Sequence, residues 1–354
     1  MTGMEIKNYI ISEDKTIIDA MNLINKNGKG IAYVCASGVL KAAISDGDVR
    51  RHILNKGSLK APISEVANYS PIYAKRQDGI NYDLFMKEKQ LSSLPIINEA
   101  GEIITIKFSG CDTAHTTSNL NTPVVIMAGG KGSRLLPMTS VLPKPLIPID
   151  EEKTITELIM DKFMEYGCSD FNMIVNYKKE LIKAYFLDCE TKYKTEFTEE
   201  KEFLGTGGGL NLLRGKYDKS FFMTNCDILI EEDYGEIMKF HQGEKNIITM
   251  VCALKTTEVP YGTVELNQDG DVKRLLEKPS ITHMINTGFY VIEPGFLEYI
   301  PKDTFIHITD VISNCIEQGE KVGAYPISEN SWSDMGQIVE MEKMIREYEM
   351  KGKY

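Results

Sequence analysis

A glycine-rich, basic loop near the middle of the chain has the residue types best suited to chemistry. It reads VVIMAGGKGSRLLPMT from Val124, and PKPLIPI follows three residues later. Its three glycines let backbone N–H groups approach an anion without a Cβ in the way. Arg134 adds a planar fork of donors, and Lys144 lies between two prolines that restrict its backbone. The loop therefore predicts a site for phosphate groups.

Two common phosphate motifs do not account for this loop. A Walker A loop requires GxxxxGK[ST], and that string occurs nowhere in the chain. A dinucleotide fingerprint requires GxGxxG, but after Gly130 and Gly132 the third position is Leu135. The GTGGGL stretch from Gly205 fails in the same way. The motifs that would indicate P-loop or hydride-transfer chemistry are therefore absent from the sequence.

The loop resembles that of the sugar-1-phosphate nucleotidyltransferases, whose consensus is close to LAGGxGTRLxPLTxxxPKPLxPV. Further motifs of that family follow in its order: LGTGGGL, TNCDIL, PYGTVELNQDG, EKP, NTGFY and WSDMG. Each residue alone would more often be a surface charge, a cap or a core residue, so the inference rests on the ordered set. The resemblance implies a catalytic domain over residues 123–354.

The resemblance also assigns roles to residues of this chain. It implies nucleotide binding by Met127, Ala128, Gly129, Gly130, Gly132, Ser133, Arg134, Gly205 and Thr206. It implies sugar phosphate binding by Lys144, Gly262, Glu277, Lys278, Asn286 and Thr287. Asp227 and Asp334 would bind Mg²⁺, and the catalytic residues would be Arg134, Lys144, Asp227 and Lys278.

In that family a sugar-1-phosphate oxygen attacks the α-phosphorus of a nucleoside triphosphate, and pyrophosphate leaves. Two polyanions must be brought together, so catalysis would rest on positioning and charge stabilisation. Mg²⁺ on Asp227 and Asp334 would clamp the α-phosphate. Arg134 would neutralise the leaving pyrophosphate, while Lys144 and Lys278 would hold the incoming sugar phosphate.

Three positions depart from the family pattern. Cys226 stands where the family's NGD motif, which TNCDIL resembles, has Gly. Ser133 replaces the usual Thr, and Gln337 stands where Thr is common after the WxDxG motif, which WSDMG matches. None of these changes removes a charge that the chemistry needs, so an active enzyme is predicted. The Cys226 change lies beside the predicted metal site and could alter the geometry of that site or which partner it binds.

The surrounding pattern of elements predicts how this domain is built. FNMIVNY, SFFMTNCDIL, NIITMVCAL and INTGFYVI are typical of strands, and TITELIMDKFMEYG, KKELIKAYFL and DYGEIMKFHQG of helices. Their alternation predicts an α/β fold with a doubly wound, mostly parallel, Rossmann-like sheet (GT-A-like by the resemblance) and ligands at the carboxyl ends of the strands. Polar residues 111–122 predict an interdomain linker, with a surface loop as the alternative.

The N-terminal residues 1–110 contain an internal repeat. GIAYVCASGVLKAAISDGDV from Gly30 aligns without gaps on SLPIINEAGEIITIKFSGCD from Ser93, and a helical pattern precedes each copy. This βαββα-like pattern resembles a tandem pair of CBS domains. The resemblance implies clefts that often bind adenosine nucleotides and discs that stack, so a homo-oligomer is expected.

The ligand motif of that family, Ser/Thr-x-x-Asp, occurs in only one copy. Ser45 and Asp48 could hold a ribose in the first copy, whereas the second has Phe108 and Cys111 at the matching positions. At most one adenosine-type ligand per chain is therefore predicted. The alternative is that Ser45 or Asp46 simply caps the helix that follows.

The choice of nucleotide is predicted from two features. LGTGG lacks the Gln common in thymidylyl- and uridylyltransferases, which favours purine-using relatives. CBS domains followed by a transferase also resemble the guanylyltransferases of legionaminic acid-type pathways, which activate glucosamine-1-phosphate. We therefore expect GTP and glucosamine-1-phosphate or a related hexose-1-phosphate, with UTP, CTP or dTTP as alternatives. A catalytically silent nucleotide-sugar sensor is the alternative of another class, and the retained Asp227, Asp334, Arg134 and Lys144 argue against it.

The composition is that of an ordinary globular chain and excludes several other classes. It has 354 residues, 42% hydrophobic and 26% charged, enough for two domains. The net charge of −11 argues against general nucleic-acid binding. Seven scattered cysteines without a CxxC pair, and five dispersed histidines, predict reduced thiols and no zinc site. No signal segment or membrane-length apolar run occurs, so no membrane association and a cytoplasmic location are predicted.

Overall fold

The computed structural model describes residues 6–76, 81–109, 119–150, 153–188, 193–267, 269–336 and 341. They form two compact units. The first contains the described residues of Met1–Thr116, Leu254–His283 and Ser328–Asn330. The second contains those of Thr117–Ala253, Met284–Ile327 and Ser331–Tyr354. Most of the predicted linker, residues 111–118, lies outside the described residues.

This division differs from a simple boundary at residue 123, because two later segments belong to the first unit. Leu254 lies in the first unit's hydrophobic core, together with Ile17 and Met21. Within the same unit the Thr256 hydroxyl donates a hydrogen bond to Asn22 Oδ1 at 2.8 Å. Apolar packing and hydrogen bonds therefore assign this part of the predicted transferase region to the first unit.

The first unit contains two small sheets with the same pairing pattern. Each has a parallel pair followed by an antiparallel pair. The strands are β1 (Ile10–Ser12), β2 (Ile31–Ala36), β3 (Val39–Ser45), β4 (Ala74–Lys75), β5 (Ser93–Ile97) and β6 (Ile103–Phe108), and the helices are α1 (Ile17–Asn27), α2 (Asp46–Leu54) and α3 (Tyr82–Glu88). Gly38 and Gly101, matched by the sequence repeat, share a left-handed φ of +83°. The assignment to a CBS pair stays a prediction.

Ser45 and Asp48 form a capping box at the start of α2. The Ser45 hydroxyl donates to Asp48 Oδ2 at 2.6 Å, and the Asp48 N–H donates to Ser45 Oγ at 3.2 Å. Asp48 also forms an ion pair with Arg51. The capping role is therefore present in the structure, and binding of a ribose by the same pair stays a prediction.

A seven-stranded sheet dominates the second unit. The strands that follow β6 along the chain are β7 (Val124–Met127), β8 (Asp170–Val175), β9 (Lys194–Glu199), β10 (Phe221–Asn225), β11 (Ile228–Ile230), β12 (Ile248–Glu258), β13 (Thr263–Leu266), β14 (Val272–Leu276), β15 (Ser280–Ile292), β16 (Val322–Ser328) and β17 (Trp332–Asp334). The helices are α4 (Ile155–Met164), α5 (Lys179–Asp188), α6 (Gly205–Gly208), α7 (Tyr234–Glu244) and α8 (Ile308–Glu317). Of these, β13 and β14 pair as a hairpin in the first unit.

The order of the large sheet is β16-β12-β15-β10-β7-β8-β9. Strands β10, β7, β8 and β9 are parallel, and β15 joins antiparallel to β10. Its apolar core includes Val125, Met223 and Tyr290. The predicted mostly parallel α/β sheet is confirmed, and it places the carboxyl ends of β7 and β10 side by side, since Asn225 pairs with Met127.

The described cysteines are buried and form no disulfide: Cys35, Cys168, Cys226, Cys252 and Cys315. Cys111 and Cys189 lie outside the described residues, so the expectation for them stays open. Within the described ranges, none of the helices is long and apolar enough to cross a bilayer.

Candidate active site

A cleft of about 560 Å³ opens where β7 and β10 end. It is lined by most of the predicted nucleotide, catalytic and metal residues: Met127, Gly129, Gly130, Gly132, Ser133, Arg134, Lys144, Thr206, Asp227, Asn286, Thr287 and Asp334. Ligands of open α/β sheets bind at this edge because the loops there are free to vary around fixed strands. These twelve motif residues therefore share one cleft.

Two glycines of the loop occupy positions that no other residue could take without displacing a neighbour. Gly132 has a φ of +63°, and a Cβ there would lie 2.9 Å from Thr139 Cγ2. The Thr139 hydroxyl donates to the Gly132 carbonyl at 2.9 Å, which fixes the turn. At Gly129 a Cβ would lie 2.4 Å from Glu200 Oε2. The loop is therefore shaped by close backbone approach, as its composition predicts.

A short two-stranded ribbon brings Asp227 and Asp334 together, although 107 positions separate them in the sequence (334 − 227). Strand β11 pairs antiparallel with β17, with Ile228 opposite Asp334. The Met335 N–H donates to the Asp227 carbonyl at 3.1 Å. A Cβ on Gly336 would lie 2.8 Å from Asp334 Oδ1 and 3.3 Å from Asp227 Oδ2. The two carboxylates therefore converge on one point.

Two cations lie against this acidic pair. The Lys144 ammonium forms an ion pair with Asp227, and both side chains are mostly buried. A Cβ on Gly336 would lie 3.4 Å from an Arg134 guanidinium nitrogen. Burial and the charge of Asp227 raise the pKa of Asp334, while the Gly336 N–H, Lys144 and Arg134 oppose that shift. The two carboxylates could therefore pair instead with a bound cation, and Lys144 and Arg134 with bound phosphates.

The donor set of the acidic pair fits Mg²⁺. Carboxylate oxygens are hard ligands, and Mg²⁺ is commonly held by one or two carboxylates plus substrate phosphates rather than by an all-protein cage. In the part of the chain that the structure describes, no group of three or more His, Cys, Asp or Glu side chains could hold a metal. Asp227 and Asp334 are therefore suited to a cation whose remaining ligands come from the substrates.

At the other side of the cleft lies a buried carboxyl that the sequence analysis missed, Glu200. Its side chain is 2% exposed, and Oε1 accepts a hydrogen bond from the Leu204 N–H at 3.2 Å. Among the described residues Oε2 has no hydrogen-bond partner. Burial raises the pKa of Glu200 to about 7, and the Leu204 N–H partly opposes this. An unpaired buried acceptor that faces a cleft indicates that a bound molecule supplies a hydrogen-bond donor to it.

The glycines of LGTGGGL serve close packing of one wall of the cleft. Gly207 and Gly208 donate backbone hydrogen bonds to the Ile306 carbonyl at 3.0 and 3.1 Å, and the Ile306 N–H donates to Leu204 at 3.0 Å. A Cβ on Gly205 would lie 2.7 Å from the Ile306 carbonyl oxygen. Gly205 therefore packs behind the wall, while Phe203 and Thr206 line the cleft.

The predicted sugar phosphate residues divide into two groups. Asn286 and Thr287 line the cleft, and the Asn286 amide donates to the Tyr290 hydroxyl at 2.7 Å. Gly262, Glu277 and Lys278 belong to the first compact unit and are not among the residues that line this cleft. Their role stays a prediction.

Cys226, the departure from the NGD motif, packs as a buried apolar side chain. Its N–H donates to the Met127 carbonyl at 3.3 Å, and its carbonyl accepts from the Thr156 hydroxyl at 3.4 Å. Burial, followed by the charge of Asp227, raises the pKa of the thiol to about 12. The thiol is therefore protonated at neutral pH and poorly suited to act as a nucleophile. Gln337, the other departure at this end, lies outside the described residues.

Comparison with known proteins adds evidence on the family of the region that contains this cleft. A model of the nucleotidyl transferase family matches residues 123–351. The chain belongs to the nucleotidyl transferase family. The match covers both the glycine loop and the acidic pair, so the motifs read from the sequence and the family model agree on the same region.

Curated relatives of this chain cover only part of its length. A mannose-1-phosphate guanyltransferase of Hypocrea jecorina is 32% identical over 185 residues, 50% of this chain and 50% of that protein. The mannose-1-phosphate guanylyltransferase catalytic subunit beta of Drosophila pseudoobscura pseudoobscura is 31% identical over 235 residues, 64% and 62% respectively. The bifunctional protein GlmU of Methanocaldococcus jannaschii is 32% identical over 233 residues, 62% and 53%. The chain thus matches half to about three fifths of these relatives.

Solved structures agree on the fold. HddC from Yersinia pseudotuberculosis, alone and complexed with GMP-PN, superposes with a TM-score of 0.50 at 23% identity, covering 64% of this chain and 99% of that one. At this identity the likeness extends to the fold of the nucleotidyl transferase region alone.

Proposed function

We propose that the chain transfers a nucleoside monophosphate from a nucleoside triphosphate, GTP by preference, to a sugar-1-phosphate. The observation that carries the reaction class is the convergence of Asp227, Asp334, Lys144 and Arg134 beside the glycine loop. The central difficulty of phosphoryl and nucleotidyl transfer is to bring two polyanions together. Two carboxylates that can hold a metal ion, beside two cations that can bind phosphates, suit this task.

The reaction needs no side-chain nucleophile. An oxygen of the sugar-1-phosphate bonds to the α-phosphorus, the bond from that phosphorus to the oxygen bridging the β-phosphate breaks, and pyrophosphate leaves with the electron pair. Lys144 leaves its pairing with Asp227 and holds the incoming sugar phosphate, while Arg134 neutralises the pyrophosphate. Asp227 and Asp334 would hold Mg²⁺, which would supply positive charge to the α-phosphate. Lys278 is a further candidate for the sugar phosphate.

The preference for guanine rests on Glu200. A carboxylate only accepts hydrogen bonds, and of the common bases guanine alone presents two adjacent donors, N1–H and N2–H₂, on its Watson–Crick edge. Uracil and thymine would place a carbonyl oxygen against the carboxylate, and cytosine and adenine a ring nitrogen lone pair. The names of the relatives, guanylyltransferases among them, agree with this preference. A good bidentate contact is worth about 1–3 kcal/mol of discrimination.

The acceptor and the N-terminal unit complete the proposal. Glucosamine-1-phosphate is the expected acceptor. Mannose-1-phosphate is also tested as an acceptor, because it appears in the names of the relatives. The first unit acts as a CBS-like module that binds at most one adenosine nucleotide, at Ser45 and Asp48, and supports a homo-oligomer; the alternative is a module that serves oligomerisation alone. Titration with AMP, ADP and ATP, on wild type and Asp48→Ala, tests the ligand; equal binding by both proteins would eliminate the site.

The central experiment measures pyrophosphate release by the full chain with Mg²⁺. It crosses GTP, UTP, CTP, dTTP and ATP with glucosamine-1-phosphate, glucose-1-phosphate and mannose-1-phosphate. Turnover that requires a sugar phosphate and is fastest with GTP is the expected result. Nucleotide binding without turnover for every pair would favour a sensor, and fastest turnover with UTP or dTTP would refute the role given to Glu200.

A further inference from the structure

A dipeptide after β8, Tyr177 and Lys178, contacts both ends of the glycine loop segment, residues 129–141. At the start of this segment the Tyr177 N–H donates to the Gly129 carbonyl at 3.3 Å. Near its end the Tyr177 hydroxyl donates to the Thr139 carbonyl at 3.2 Å. One residue therefore connects two points of the segment that are ten positions apart (139 − 129).

Lys178 extends this connection. Its ammonium donates to the Ser140 carbonyl at 2.5 Å and to the Val141 carbonyl at 2.6 Å. Its backbone has a left-handed φ of +51°, a conformation that residues with a Cβ adopt at a conformational cost. Lysine thus occupies a position where glycine would fit better, and its ammonium makes two contacts that glycine could not make.

Leu135 and Thr139 of the segment are buried, but the residues that Lys178 contacts, Ser140 and Val141, are exposed. Leu136 is 53% exposed and Val141 is 77% exposed, so burial contributes little to holding these outer residues in place. Yet the segment carries Arg134 and leads directly to Lys144, the two cations of the acidic pair. A shift of about 1 Å in such groups can reduce turnover as much as a hundredfold. The hydrogen bonds from Tyr177 and Lys178 are therefore well placed to control the geometry of the reaction.

We infer that Tyr177 and Lys178 are positioning residues, which hold the segment 129–141 so that Arg134 and Lys144 meet the substrates in the required geometry. The inference rests on the proposed function, and neither residue touches the reacting groups. Lys178 acts through its donors to two carbonyls, so an arginine could replace it in part, whereas a glycine relieves the backbone and removes the donors.

The test compares Lys178→Gly, Lys178→Arg, Tyr177→Phe and Lys245→Gly. Lys245 is the matched control, because it also has a left-handed φ, +54°, at the end of α7. Each full-length variant is examined by thermal melting, by kcat and KM for both substrates, and by hydrogen exchange of the Leu142 amide, which is bonded to the Met138 carbonyl.

Lys178→Gly should melt no lower than wild type yet lose about tenfold or more in kcat, with faster exchange at Leu142. Lys178→Arg should recover most of the loss, Tyr177→Phe should lose less than Lys178→Gly, and Lys245→Gly should match wild-type kinetics. Wild-type kcat in Lys178→Gly, or no recovery by arginine, would overturn the inference. If wild type releases no pyrophosphate with any substrate pair, the proposed function fails, and unchanged exchange at Leu142 in Lys178→Gly would still overturn the positioning role separately.

Discussion

The two ends of the cleft are both acidic, yet they are surrounded differently. Asp227 and Asp334 lie against Lys144 and Arg134, so their charges are matched by cations. Glu200 has one backbone N–H and no cation among its described contacts, and its pKa rises to about 7. The same functional group thus suits metal and phosphate at one end and a neutral hydrogen-bond donor at the other. The neighbours, rather than the residue type, decide the role.

Adjacent residues show the same effect within one strand end. Glu199 lies on the exposed side, where Lys179 and Lys183 lower its pKa to about 2. Glu200, the next residue, is buried in the cleft, and its pKa is raised. Successive side chains of an extended segment point in opposite directions, which explains why two neighbours of identical chemistry differ so widely.

The largest expected effect comes from changing the carboxylates at the end of the cleft that contains Asp227, Asp334, Lys144 and Arg134, here called the cation-matched end. Asp227→Asn and Asp334→Asn should each lose at least about a hundredfold in kcat, since one electrostatic contact in a transition state is worth that much. Calorimetric titration should also show weaker Mg²⁺ binding by both variants than by wild type. Glu200→Gln is the control, because its Mg²⁺ binding should equal that of wild type. Full activity of either Asn variant would refute the metal assignment.

A smaller effect is expected at the end of the cleft that contains Glu200, the proposed base-binding residue, here called the base end. Glu200→Gln should lower kcat/KM for GTP by about tenfold and raise it for UTP, because a carboxamide offers one donor and one acceptor, which match the uracil edge. The measurement is the ratio of kcat/KM for the two nucleotides with one sugar phosphate. Glu202→Gln is the matched control, since Glu202 is an exposed acid on the same segment. An unchanged ratio in Glu200→Gln would remove the base-reading role.

The sequence predicts the cation-matched end of the cleft better than the base end. Gly132, Arg134 and Lys144 belong to one ordered motif, and a short stretch of chain places them together, so their types and spacing were sufficient. Asp227 and Asp334 were also found, but their contact depends on the pairing of β11 with β17, which no local pattern encodes.

Glu200 was missed for a physical reason. It lies in FTEEKE, a charged run that predicts a solvated edge, and its burial arises only when the Gly129 and Gly209 backbones close on it. A Cβ on Gly209 would lie 2.7 Å from Glu200 Oε1, which shows how tightly the two glycine loops enclose the carboxyl. Similarly, the inclusion of Leu254–His283 in the first unit depends on long-range packing that the sequence pattern did not indicate.

An effect of similar size is expected from pH, and it is confined to the base end. The pKa of Glu200 in the free protein is about 7, above the ordinary value of 4.5. GTP should bind the ionised form, so its affinity should increase as pH rises through 7, by about tenfold between pH 6 and pH 8. Calorimetric titration of wild type and Glu200→Gln with GTP and UTP checks this, because the triphosphate titrates equally in all four cases.

The same shift has an opposite consequence for stability. Between pH 4.5 and 7 the folded protein binds a proton at Glu200 that the unfolded chain has already released, so the free energy of unfolding contributed by this group falls as pH rises. Glu200→Gln should therefore be more stable than wild type at pH 8 and of similar stability at pH 5, while it binds GTP less tightly at pH 8. Thermal melting at both values measures the difference. A variant that is less stable than wild type at pH 8 would show that the carboxylate is already compensated in the free protein, and the contrast between the two ends of the cleft would disappear.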